Sequence, residues 1–328
     1  MAEADRPALS VVVAIVSDTM GPPDTRHLEP CLAALMRQRG APATEIIVPH
    51  LPGMAGIAAL GEEHPNVHFV EAELPRTYTG RGGSREHHDE LRARGLAVAR
   101  GSIVALIEDH GIPAPDWSAR VFAHFSRANL LEASLGRPLA AVGGAIENGV
   151  DRPLNWAVYF CDFLRYQNPV QKGESAFASD ANIAYRRAAL ESIRPIWQET
   201  FCEPSVNEAL RSQGEIVALA PDMVLYQHRQ ELRFGSALRE RFVWGRSYAA
   251  ARCRPAPQQR VFWAVFSPAL PLLLLARMTA MAWKKRRTLA SFLKALPLTN
   301  MLLISWALGE LAGYVTGRPD GRDSHANL

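Results

Sequence analysis

The first hundred residues alternate short apolar runs with longer stretches of helical spacing. Leu9-Ser-Val-Val-Val-Ala-Ile-Val16 is a brief β-branched run closed by polar residues, the pattern of a strand buried on both faces. From about His27 to Arg39, Leu28, Cys31, Leu32 and Leu35 share one face of a helix that Gly40 stops. Glu45-Ile-Ile-Val48 and Val67-His-Phe-Val70 read as further strands. Ser84 to Arg100 returns to helical spacing at Leu91, Gly95, Leu96 and Val98, ends at Gly101 and leads into the strand Ile103-Val-Ala-Leu-Ile107. Strands alternating with helices at these intervals predict an α/β fold, a mostly parallel sheet flanked by helices.

Such a sheet binds ligands beyond the carboxyl ends of its strands. The residues that follow each strand are Ser17 and Asp18, Pro49 and His50, the loop from Arg76 to Arg85, and Glu108, Asp109 and His110. There is no Walker loop, and Gly80-Arg-Gly-Gly-Ser-Arg85 departs from G-x-G-x-x-G, which excludes the common phosphate fingerprints. The strongest local signal is Ile103 to Trp117, where an apolar strand ends in two carboxylates and an imidazole before a Pro-rich turn. Alternate residues of an extended chain share a face, so Glu108 and His110 point one way and Asp109 the other. A carboxylate oxygen and an imidazole nitrogen on one side can hold Mn²⁺ or Mg²⁺ and leave positions for a diphosphate. A solvated strand end whose charges cap the next turn is the alternative.

The C-terminal part reads differently. Val261 to Trp283 holds one charge, Arg277, and as a helix reaches about 34 Å, enough to cross a ~30 Å hydrocarbon core. Leu289 to Val315 is a second apolar segment with Lys294 and Glu310 inside it, and Lys284-Lys-Arg-Arg287 lies between the two. Two full crossings from a cytosolic domain would put that basic loop outside, against the positive-inside rule, and Pro268, Pro271 and Pro297 interrupt the helices. A shallow hairpin or interfacial helices are therefore expected.

With 328 residues and 48% hydrophobic composition the chain can bury a full core, which excludes a disordered or collagen-like protein. Its net charge of +3 hides an asymmetry. Residues 1–228 hold 20 Lys and Arg against 28 Asp and Glu, residues 229–287 hold 13 against 2, and residues 288–328 hold 3 against 3. An acidic body followed by a basic, apolar segment points to an anionic ligand or a membrane surface. No nucleic-acid motif accompanies the basic excess, so nucleic acid is not an expected partner. Aromatics interleave with arginines, Arg246 among them, from Leu238 to Tyr248. That reads as an amphipathic helix over 229–260 gripping a diphosphate or anionic headgroups, with a solvated helix face as the plainer alternative. Cys31, Cys161, Cys202 and Cys253 form no C-x-x-C pair, which argues against a disulfide framework or zinc knuckle and for a reducing compartment. Glu3, Asp5 and Pro7 are unlike the start of a signal peptide.

Several of these segments, in order, carry a resemblance. Glu108-Asp-His110 followed by Pro115-Asp-Trp117 resembles the D-x-D strand and downstream PDW of family 2 glycosyltransferases of the GT-A fold, with Glu108 and His110 in place of the two aspartates. Leu9 to Val16 resembles that family's first strand, Gly95 to Gly101 its helix before D-x-D, and Val142-Gly-Gly144 the strand after it. Ala178 to Leu190 is similar to its acceptor-side segment, and Phe201 to Gly214 to its "ED" helix, with Pro221 and His228 matching the sequel. The likeness spans about residues 9–250.

The resemblance implies a metal at Glu108 and His110, with His228 as a further metal or diphosphate ligand unless it is structural. It implies that Glu203, in place of the Asp of "ED", removes the proton of an acceptor hydroxyl. Asp180 and Asn182 fall where the family contacts the sugars, although capping the next helix suits them equally. Val48-Pro-His-Leu-Pro-Gly53 stands where the family has VDDGS, and Ala14 to Asp18 where it has P.YN. Nucleotide recognition is therefore expected through Asp18, Arg85, Glu108 and Asp109, and Arg246 is expected to touch substrate. The implied organisation is a GT-A catalytic domain (1–228), a basic amphipathic linker helix (229–260) and a membrane-associated helical tail (261–328). The implied activity is transfer of a sugar, with inversion, from a nucleotide-sugar donor to a hydroxyl of a lipid-linked or polysaccharide acceptor, assisted by Mn²⁺ or Mg²⁺ at the cytoplasmic face of the cell membrane. A nucleotidyltransferase on a similar fold and a non-catalytic sugar-nucleotide-binding relative are the alternatives.

Overall fold

A computed structural model describes residues 6–17, 25–73, 85–126, 136–137, 139–253 and 257–318. In chain order the elements are β1 (Leu9–Ala14), α1 (Leu28–Met36), β2 (Thr44–His50), α2 (Ile57–Glu63), β3 (Val67–Glu71), α3 (Arg85–Val98), β4 (Ile103–Glu108), β5 (Gly111–Pro113), α4 (Trp117–His124) and β6 (Leu139–Asn148). There follow α5 (Pro153–Phe163), β7 (Gly173–Glu174), β8 (Asn182–Arg186), α6 (Arg187–Ser192), α7 (Arg194–Trp197), α8 (Glu203–Ser212) and β9 (Ile216–Gln227). The last are α9 (Phe234–Cys253), α10 (Arg260–Phe266), α11 (Leu270–Lys285) and α12 (Leu289–Thr316).

The chain divides into two compact units, residues 1–149 with 166–228, and residues 150–165 with 229–328. Helix α5 thus groups with the C-terminal helices, not with the strands on either side of it in sequence.

The first unit is α/β. All six residues of β1 are buried, as its β-branched run requires, and α1 buries the four residues whose spacing predicts it. The described strands lie in the order β3-β2-β1-β4-β8-β6-β9-β5, with β7 also on β9. The β3-β2-β1-β4 half is parallel throughout, matching the βαβ pattern of the sequence. Beyond β4 the sheet is mixed: β8 runs antiparallel between β4 and β6, β9 is parallel to β6, and β5 and β7 are antiparallel to β9. Strand order reverses between β1 and β4, which opens a crevice at their carboxyl ends. At the opposite ends, Glu45 accepts hydrogen bonds from the Ser10 hydroxyl (2.6 Å) and the Arg100 N–H (2.7 Å) and pairs with the Arg100 guanidinium (2.9 Å), joining β1, β2 and the exit of α3.

The second unit is helical. Helices α9 and α12 approach backbone to backbone: a Cβ on Gly245 would meet the Trp306 carbonyl, one on Gly309 the Phe242 carbonyl, and one on Gly313 the Arg246 carbonyl. Gly309 and Gly313 are four apart, the small-residue spacing that lets helices pack without intervening side chains. Several of the arginines expected to grip a diphosphate or anionic headgroups are bonded within the unit. Arg229 pairs with Glu240 (2.8 Å), Arg241 with Asp162, and Arg260 donates to the Tyr314 and Val315 carbonyls at the end of α12 (2.8 and 2.7 Å). The stretches Arg260–Lys285 and Leu289–Thr316, 26 and 28 residues, are long and apolar enough to cross a membrane.

Two outcomes follow from these contacts. Burial raises the Glu45 carboxyl, but its bonds to Ser10 and Arg100 outweigh burial and hold it below the ordinary carboxylate value. Its contribution is therefore fully present above the unfolded value of about 4.3 and is lost as pH falls through the depressed folded value. Urea denaturation of Glu45→Gln should show a loss of about 1–2 kcal/mol at pH 7, and this gap from the wild type should close under acid. Gly309→Ala should cost about 1–3 kcal/mol by forcing α9 and α12 apart, whereas Gly235→Ala, where a Cβ meets nothing within 4 Å, should leave the melting temperature nearly unchanged.

Candidate active site

Helix α3 brings a guanidinium to the crevice between β1 and β4. A Cβ on Gly95 would meet Val12 and Pro49, so its absence lets α3 lie close on β1 and β2, one turn after Arg92. Arg92 is buried and binds three carboxylates: Asp89 (2.9 Å) on its own helix, Glu108 (3.3 Å) at the end of β4, and Asp180 (3.2 Å) just before β8. The register of β4 on β8 pairs Ile107 with Asn182 and so puts Glu108 and Asp180 on neighbouring strand ends. Gln227, at the end of β9, reaches the second oxygen of Glu108 at 3.4 Å.

The alternation inferred after β4 is present. Glu108 Oε2 lies 3.3 Å from His110 Nε2, while Asp109 turns the other way into the core. There Asp109 accepts hydrogen bonds from the Val16 N–H (3.2 Å) and the Ser17 hydroxyl, tying the end of β4 to the end of β1. It also faces His110 Nδ1 at 3.2 Å. Burial raises Asp109, but the bonds from His110, Ser17 and Val16 outweigh it and hold the carboxyl below its ordinary value. An ionised Asp109 beside Nδ1 orients the His110 ring so that Nε2 is turned toward Glu108. Burial raises Glu108 above its ordinary value; His110 and Arg92 oppose this and the charges of Asp180 and Asp109 add to it.

These donors fit a divalent ion of the kind that takes one or two protein ligands and completes its shell with phosphate and water. A carboxylate oxygen and an imidazole nitrogen converge, the imidazole is oriented from behind by Asp109, and three acidic side chains, Asp89, Glu108 and Asp180, surround one arginine. Among the described residues no three of His, Cys, Asp and Glu form a metal cage. His228 is accordingly not gathered with Glu108 and His110 as a third ligand; its backbone N–H donates to the His110 carbonyl at 2.8 Å.

Glu203 opens α8, where the free N–H groups of the first turn favour a carboxylate. The segment before it is held to α3 by the Phe201 N–H donating to the Asp89 carbonyl (3.0 Å). One turn on, the Asn207 amide donates to Glu203 Oε1 and accepts from the Tyr185 hydroxyl (3.0 Å). Burial, with the charges of Glu203 and Asp180, pushes the Tyr185 phenol far above its ordinary value, so it remains a donor. That direction fixes the amide: Oδ1 faces Tyr185 and Nδ2 faces Glu203, an arrangement that favours the carboxylate form of Glu203.

Two expected substrate residues are used elsewhere. Asn182 is fully buried, accepting from the Trp117 indole and donating to the Ala145 and Met223 carbonyls, all at 2.9 Å, so its amide is spent on knitting the sheet rather than on capping the next helix. Arg246 belongs to the helical unit, where it donates to the Arg318 carbonyl (3.2 Å) and the Thr316 hydroxyl (3.4 Å). Asp18, the loop 76–84 and the Arg85 side chain lie outside the described residues. Arg92, Asn207 and Tyr185 were not singled out from sequence. Arg92 had a signal, a charge at i, i+3, i+4 and i+7 spacing to Gly95, Leu96 and Ala99 on the buried stripe of α3.

Comparison with known proteins bears on the fold. No family model matches the sequence, and no curated protein matches it. Among solved structures, a mannosyltransferase from Pyrobaculum calidifontis, in complex with GDP-Man and Mn²⁺, aligns over 93% of this chain and 87% of its own at 17% identity, with a TM-score of 0.50. S. aureus TarS residues 1–349 align over 94% of this chain and 92% of their own at 14% identity and a TM-score of 0.44, and the same fragment with UDP at 11% identity and 0.44. The chain shares the fold of the Pyrobaculum glycosyltransferase.

Proposed function

We propose that this protein is a membrane-attached glycosyltransferase that moves a sugar, with inversion, from a nucleotide diphosphate donor to a hydroxyl of a lipid-linked or polysaccharide acceptor. The observation that carries the reading is the pairing, within one unit, of a cation-ready Glu108–His110 edge with an oriented carboxylate at Glu203. The fold shared with a mannosyltransferase solved with a nucleotide sugar and Mn²⁺ supports it, as do the two apolar helices.

In this mechanism the donor lies across the strand ends of β1 and β4, its diphosphate beside Glu108 and His110. A bound Mn²⁺ or Mg²⁺ supplies positive charge against the departing diphosphate. Arg92 holds Glu108 and Asp180 in place, and Asp109 keeps the His110 ring turned toward Glu108. Glu203 accepts the acceptor's proton as its oxygen attacks the anomeric carbon from the face opposite the diphosphate, which gives inversion. Asn207 binds Oε1 of Glu203 and so fixes the direction of that carboxylate.

Glu203→Gln should lower transfer by about 10²–10⁴-fold in a radiolabelled-sugar assay while donor-induced thermal stabilisation is retained; full transfer by this variant sinks the base assignment. Asn207→Leu removes a hydrogen bond to the charged form of Glu203. The acidic limb of its kcat/KM profile should therefore move to higher pH, and an unchanged limb would show that Asn207 does not act on the base. With a sugar nucleotide present, Mn²⁺ should raise the melting temperature of the wild type, since a ligand at 100 times its Kd contributes about 2.7 kcal/mol. Glu108→Gln and His110→Ala should each abolish that metal-dependent increment.

A further inference from the structure

Within the helical unit a cavity of about 590 Å³ lies among α5, α9, α10, α11 and α12. Its volume falls within the range of about 300–1,000 Å³ found for small-molecule sites. Most of the wall is hydrocarbon, contributed by Phe262, Phe266, Leu270, Leu273, Leu274 and Leu303. A void of this size and composition forfeits packing contacts that an apolar chain would restore, and it holds water poorly.

The cavity is not apolar throughout. Asp162, Arg241, Arg252 and Glu310 also line it, and Arg252 stacks on the Trp263 ring at 3.6 Å. A second cavity of about 120 Å³ shares Asp162, Leu274 and Leu303 and adds Arg165 and Arg277. Two guanidinium groups and two carboxylates line the larger cavity, and Arg165 and Arg277, in the smaller one beside the shared Asp162, bring the net charge of the adjoining pair to +2. The Arg241 side chain is only 4% exposed, and although its terminal nitrogens bind Asp162, its Nε is buried without a partner. Guanidinium groups in such a setting select phosphate over neutral headgroups. Leu272 and Leu273, 72% and 66% exposed on α11, make the outer wall itself apolar, as the surroundings of a lipid site must be.

We propose that these two adjoining cavities bind an anionic phosphate-headed lipid, with its hydrocarbon chain among Phe262, Phe266, Leu270 and Leu274 in the larger and its phosphate against Arg241 and Arg252, which line the larger, and Arg277, which lines the smaller. The site belongs to the helical unit alone and does not depend on the reaction assigned to the strand unit.

The test uses the full chain in non-ionic detergent micelles, titrated with dioleoyl phosphatidylglycerol, farnesyl phosphate, dioleoyl phosphatidylcholine or inorganic phosphate while thermal unfolding is followed. A saturable rise in midpoint is expected with an anionic lipid, and the tighter of the two distinguishes an acyl phosphodiester from an isoprenyl monoester. Phosphatidylcholine should bind about tenfold more weakly, the equivalent of one charged hydrogen bond, and inorganic phosphate should give no shift. Leu274→Trp fills the cavity and should remove the shift. Arg277→Gln, at an exposed position that tolerates change, should weaken anionic-lipid binding about tenfold and leave the lipid-free midpoint unchanged. Equal shifts with neutral and anionic lipid, an equal shift with inorganic phosphate, or no saturable shift overturns the proposal. If Leu274→Trp fails to fold, unaltered lipid affinity in Arg277→Gln overturns it.

Discussion

One buried guanidinium organises the strand unit. Asp89, Glu108 and Asp180 come from a helix, a strand end and a loop, and each is drawn to Arg92. Without that cation three carboxylates would meet in a poorly solvated crevice, where each unpaired charge costs several kcal/mol and removal of one partner from a buried pair typically costs about 3–5. The same constraint decides where β4 ends, because Glu108 must leave the sheet at the level of the guanidinium. It also sets α3 against β1, an approach that the glycine at position 95 makes possible.

Around that centre the two carboxylates that follow β4 diverge. Asp109 sinks into the core, stays ionised through three hydrogen bonds, and orients the His110 ring. Glu108, also buried but poorly compensated, is raised above its ordinary value. Neighbouring positions thus have opposite electrostatics, one structural and one available to a cation, and pleat alternation separates them. Glu203 follows a similar logic at a distance: a helix start favours its charge, and a chain from Tyr185 through Asn207 gives that charge one direction.

The helical unit uses its arginines inwardly. Arg229 and Arg241 close ion pairs, while Arg246 and Arg260 satisfy carbonyls at the carboxyl end of α12, where unpaired acceptors collect. The glycine seam brings α9 and α12 so close that backbone faces backbone. A high local density of positive charge is therefore compatible with close packing where guanidinium groups meet carboxylates and helix-end carbonyls of the same unit. Arg252 and Arg277 line the apolar cavities.

Local pattern alone determined the parallel half of the sheet, the face that α1 buries, the opposed directions of Glu108 and Asp109, and the two long apolar helices. Each of these depends on periodicity or on neighbours in the chain. Only tertiary structure decided the rest. The antiparallel place of β8 depends on partners far away in sequence, and helix α5 joins the helical unit across about seventy intervening residues. Asn182 has the composition of a sugar ligand, yet its amide is consumed by Trp117, Ala145 and Met223. Arg246 has the charge of a phosphate ligand, yet it meets a helix end first. Residue type sets which bonds a side chain can form, but which partner reaches it depends on contacts between distant segments, and those are not written in local spacing.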